Sequence, residues 1–160
     1  MPSDPACQLL RHTLATLAYR GSKAVRGAPT EFGAFRAGPG TRTPAAILAH
    51  IGDLLDWGIS ACDGRHVWDP KAPQAWTDDV ARFFAALERF DARLGDDQPL
   101  GFPAEQLFQG PIADALTHVG QLALLRRLAG APVRGENYFK ALIAAGHVGA
   151  GQPAPIVEFD

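Results

Sequence analysis

Cysteine is scarce in this chain, which carries only Cys7 and Cys62. That is too few for a disulfide framework, and a reducing cytoplasm is the expected setting. An excess of charge is missing as well, because 15 Lys and Arg stand against 17 Asp and Glu for a formal net charge of −2. Neither nucleic acid nor an anionic membrane is therefore expected as a partner. The basic residues are scattered, without the interleaved aromatics of a nucleic-acid groove. No uninterrupted apolar run approaches the roughly 20 residues that cross a bilayer. Met1-Pro2-Ser3-Asp4-Pro5 has neither a basic n-region nor an apolar h-region, which argues against secretion. A phosphate-binding loop is absent, since Gly38-Pro39-Gly40-Thr41 lacks the following lysine and the flanking strand. There is no G-x-S-x-G elbow and no internal repeat. No segment alternates convincingly with a period of two, so a sheet is not expected.

What the chain does contain is apolar material in helical order. Of its 160 residues 47% are hydrophobic and 20% charged, the profile of one globular domain (1–160) that can bury a core without covalent help. Glycine and proline cluster at 27–44, 64–73, 95–103 and 146–155, and the stretches between them are almost free of breakers. A first helix is expected from Asp4 or Pro5 to Arg26, with Leu10, Leu14, Leu17 and Gly21 on one face and Asp4 as its cap. A second opens at Thr43-Pro44, a cap followed by proline, and stops near Asp63-Gly64. A third spans Trp76 to Leu94, capped by Thr77, with Val80, Phe83, Phe84, Leu87, Phe90 and Leu94 as its apolar stripe. Its other face, with Asp79, Arg82, Arg89 and Arg93, reads as solvated. The fourth begins between Pro103 and Pro111 and ends at Ala129-Gly130, with Arg126 and Arg127 complementing the dipole in its last turn. A short fifth helix is expected over Glu136–Ala145, then an extended tail placed to lie back on the bundle through Ile156, Val157 and Phe159. The fold class is all-α: a four-helix bundle with a small C-terminal addition.

Histidine carries the chemical information. His66 and His147, in a breaker-rich loop and at a helix end, read as surface residues. His50 instead shares a face with Ile47, Leu54, Trp57 and Ala61, and a buried imidazole must hydrogen-bond or bind something. His118 lies on a stripe with Asp114 at i−4, Gln121 at i+3 and Leu125 at i+7. Two ligands one turn apart on one helix and a third from a facing helix can fill three corners of a coordination sphere. Imidazole and carboxylate suit divalent zinc, nickel, iron or manganese, with an open position for water or substrate. By spacing alone the plainer reading is Asp114 and His118 as a helix-surface pair, with His50 a hydrogen-bonded core histidine. Around them, His12 reads as a plain hydrogen-bonded histidine or as a further ligand or supporting group, and Asp53 as solvated helix surface or as a group that orients an imidazole. Trp57 reads as core or as the wall of a pocket, and Gln121 could bond a ligand or bridge helices. Cys7 and Cys62 have no base beside them and read as inert.

Two blocks also carry a resemblance. Thr43-Pro44-Ala45-Ala46-Ile47-Leu48-Ala49-His50-Ile51-Gly52-Asp53, followed by Trp57, resembles the second helix of the DinB (DinB/YfiT-like) family of metalloenzymes. His118-Val119-Gly120-Gln121-Leu122-Ala123-Leu124-Leu125-Arg126-Arg127-Leu128-Ala129-Gly130 resembles its fourth helix. The resemblance covers roughly residues 5–130. It implies a four-helix bundle holding a divalent metal, zinc or nickel foremost, through three side chains. The second-helix ligand falls on His50 and the last fourth-helix ligand on His118. Where members with a full triad usually have histidine four residues earlier, this chain has Asp114. The better-understood branches transfer thiols or isomerise thiol adducts, so the resemblance implies a small-molecule thiol-transferase or isomerase, or a hydrolase. The alternative is a non-catalytic bundle with a degenerate or structural metal site, acting in stress-related binding. A homodimer is expected in either case, and no catalytic side chain is assigned.

Overall fold

The computed structural model describes residues 4–96 and 98–160. The Asp4 carboxylate accepts from the Ala6 N–H at 3.0 Å and opens helix α1 (Pro5–Val25). Helix α2 (Pro44–Cys62) starts as expected, the Thr43 hydroxyl accepting from the Ala46 N–H with Pro44 in the first turn. Helix α3 (Trp76–Gly95) starts differently. Its cap position is Ala75, and Thr77 lies exposed inside the helix. The order there comes from Asp79, buried rather than solvated, which accepts the Gln74 N–H at 2.9 Å.

The fourth helix is a composite. A short α4 (Ala104–Leu107) runs through a π-helical turn (Phe108–Ile112) into α5 (Ala113–Leu128). Pro111 lies inside the wide turn. A proline in a regular helix clashes with the carbonyl four residues back, and a π turn is one way to relieve this. The turn therefore sets the phase with which α5 presents Asp114, three residues on. Beyond α5, Gly130 adopts φ +78°, the left-handed stop expected of it.

Around the bundle α2 packs on α3 and α5, and α1 packs on the same two helices. Thus α1 and α2 lie diagonally opposite, as do α3 and α5. One cluster of buried apolar side chains, including Leu14, Leu17, Ile51, Phe83, Phe90 and Leu122, fills the space between them. The α2–α3 approach is close at Gly58, where a Cβ would stand 2.5 Å from the Phe90 ring. Helix α2 is long and apolar enough by length and composition to cross a bilayer, at a mean hydropathy of 1.2, but 67% of that window is buried inside the bundle.

Three expectations fail here. Asp79, Arg82 and Arg93 are not a solvated face. Arg82 pairs with Asp53 and Asp56 at 2.8 Å each, and Arg93 pairs with Asp63 and bonds the Cys62 carbonyl. The fifth helix does not form: Gly135–Glu136 is a short strand β1, antiparallel to β2 (Glu158–Phe159), and only Tyr138–Lys140 makes a 3-10 turn. Glu136 is drawn instead into a buried cluster, 2.8 Å from Lys23 Nζ and 2.6 Å from the Tyr19 hydroxyl. The Asn137 side chain also accepts from the Phe139 N–H, a local alternative to helix, and Phe139 finds no face to bury against (97% exposed). The tail does lie back on α1, but through Glu158 and Lys23 rather than through Ile156 and Phe159, which are exposed. The architecture is thus all-α with a two-stranded clasp. Arg126 serves that architecture from inside: its guanidinium donates to the Ala24 and Arg26 carbonyls at 3.0 Å and caps the end of α1.

Candidate metal centre

His50 projects from the middle of α2, and Asp114 and His118 from one face of α5, the helix packed beside it. The two imidazole rings lie 4.7 Å apart, centre to centre. One nitrogen from each and one Asp114 oxygen all lie within 4.8 Å of one another, so this group can hold a metal ion. The site sits at the edge of the core: the side chains of His118, His50 and Asp114 are 12%, 21% and 46% exposed.

Hydrogen bonding prepares the ligands. His118 Nδ1 stands 2.8 Å from the Asp114 backbone carbonyl and 3.1 Å from its Oδ1. Both are acceptors, so Nδ1 carries the proton and the lone pair is left on Nε2. The other carboxylate oxygen, Oδ2, is 3.8 Å from His50 Nε2. Burial first, then the charges of His118 and Arg42, push the His50 pKa below 6.5 against the opposing pull of Asp114 and Asp53. Neutral imidazole is the form that ligates. Two nitrogens and one carboxylate oxygen, half-open to solvent, match a divalent site with a free position.

The remaining sequence candidates fall elsewhere. His12 is exposed on α1 and lies outside the ligand cluster. Gln121 is exposed, because α5 turns its core face through Ala115, Val119, Leu122 and Arg126, so the Asp114–His118 stripe meets solvent at its next turn. Asp53 is neither solvated nor bonded to an imidazole. It is buried, accepting from Arg82 at 2.8 Å and from the Lys71 N–H at 3.0 Å. Trp57 does stand near the site, its ring 6.1 Å from that of Trp68 and 5.1 Å from His66. Both cysteines are poor nucleophiles: burial raises the Cys62 thiol to about 11, and burial with the Asp4 charge raises Cys7.

Sequence reasoning missed Trp68, whose ring meets His50 edge-on at 5.7 Å. It also missed Arg42, just before the cap of α2. Both lie in segments without regular secondary structure, where no periodicity assigns a direction to a side chain. Comparison with protein-family models, curated proteins and solved structures finds no match for this chain.

Proposed function

We propose that this protein binds a divalent metal ion through His50, Asp114 and His118 and uses it on a small molecule. The convergence of three ligand atoms within 4.8 Å from two helices carries the reading. The resemblance of the His50 and His118 blocks to the DinB family supports it, with Asp114 standing for the usual third imidazole. Zinc and nickel suit the donor set best. A divalent ion here would supply Lewis acidity and lower the pKa of a water or thiol in its open position. The protein's own part is to keep His50 neutral, to fix the His118 tautomer through the Asp114 carbonyl, and to leave one side open. Thiol transfer to a small electrophile is the reaction class we favour, with hydrolysis next, in a cytoplasmic homodimer.

A second reading rests on the 3.1 Å contact of Asp114 and His118: an internal pair in a bundle that holds no metal. Metal analysis of protein purified without a histidine tag separates the two. Near-stoichiometric metal, lost in His50→Ala and His118→Ala and kept in Asp114→His, is the expected result. No metal after incubation with zinc, nickel and manganese would leave only the internal pair.

A further inference from the structure

The segment between α2 and α3 has no regular secondary structure, yet three buried side chains tie it down. The Ser60 hydroxyl accepts from the Val67 N–H at 3.2 Å, Asp53 from the Lys71 N–H at 3.0 Å, and Asp79 from the Gln74 N–H at 2.9 Å. Burying three polar side chains is costly unless each is bonded, so these contacts fix the path of the segment. Trp68 falls between the first two anchors and is thereby held against His50.

The result is an aromatic wall leading outward from the triad. Trp68 meets His50 at 73° and Trp57 at 89°, both edge-to-face, and still leaves 45% of its surface exposed. Trp57 continues the wall towards His66. Its indole N–H is buried without a hydrogen-bond acceptor among the described residues. A buried donor left unpaired costs about 1–3 kcal/mol, so the Trp57 end of the wall is held by packing rather than by hydrogen bonding. A divalent cation held by the triad would favour an anionic donor group in its open position.

Resting on the metal reading above, we infer that Trp57 and Trp68 form the subsite for the aromatic portion of a small ligand whose anionic donor atom takes the open metal position. Indole edges and faces favour flat rings over alkyl chains of similar size. The selectivity of the site therefore lies in the wall and its metal chemistry in the triad.

Cobalt(II)-loaded protein titrated with 2-phenylethanethiol and with the size-matched 2-cyclohexylethanethiol tests this, because the cobalt absorption bands report thiolate ligation directly. The aromatic thiol should bind about tenfold more tightly than the alkyl one. Trp68→Ala should bring the two to near parity while leaving cobalt affinity within about twofold, and Trp68→Phe should restore part of the preference. Equal affinities in the parent, or a preference that survives Trp68→Ala, would overturn the subsite and leave the metal reading standing. Failure to take up cobalt at all would overturn both.

Discussion

His50 sits where burial is the chief influence on its ring, with the Arg42 charge acting in the same direction. Its pKa is lowered from the ordinary 6.5, so the unfolded chain takes up a proton before the folded one does. Stability of the metal-free protein should therefore fall as pH drops through 6.5 towards the folded-state pKa, and the penalty should be complete below it. Metal affinity should weaken over the same window as protons compete for the ring. Thermal melts of metal-free protein between pH 7.5 and 5 check this, with His50→Gln expected to flatten the response. Asp114 acts on both sides of the balance, since its charge opposes the lowering at His50 while its main-chain carbonyl fixes the proton on His118.

Among the elements, the connection between α2 and α3 is the one whose sequence says least and whose anchoring says most. Asp53 takes two roles, pairing with Arg82 of α3 and holding the Lys71 N–H of the connection. Asp53→Ala should leave helix content unchanged, because Arg82 keeps Asp56 as a partner at 2.8 Å. The connection should loosen instead, seen as faster proteolysis within 64–75 and a red-shifted tryptophan emission. Unchanged proteolysis would show that Ser60 and Asp79 suffice to hold it. The π turn is the other decisive element, because it places Pro111 and Ile112 in the core immediately before the Asp114 turn.

Across the whole molecule, the chain ends are joined through charge. Lys23 of α1 lies between Glu136 and Glu158 at 2.8 Å each, and their bonds hold its pKa above the ordinary value although burial opposes this. The Glu136 side chain is fully buried, so removing it strands part of a buried charge. Glu136→Ala should cost about 3–5 kcal/mol, measured by chemical denaturation, and should release the β1–β2 clasp. A change near zero would mean that Glu158 alone satisfies Lys23. Metal uptake should survive this substitution, because the clasp and the triad share no residue.

The sequence by itself determined the four bundle helices and all three members of the candidate metal group, His50, Asp114 and His118. Leu10, Leu14, Leu17 and Gly21, and the Phe83–Leu94 stripe, are buried as their spacing predicts, because apolar periodicity dictates which face a helix turns to the core. Thr43-Pro44 and Gly130 mark their boundaries through local backbone chemistry, which needs no distant partner. His50 was legible as a polar group on an apolar face, and Asp114 and His118 through their one-turn spacing on a single helix. Tertiary structure alone decided where the charges go. Asp53, Asp79 and Glu136 read as surface or helix residues in one dimension and all three are buried, Asp53 and Glu136 against partners far along the chain and Asp79 against the Gln74 N–H of the connection. The Glu136–Lys23 pair spans 113 residues, a separation that no local pattern encodes. The placement of Trp68 against His50 belongs to the same class, because a segment without periodicity takes its direction from the side chains that anchor it.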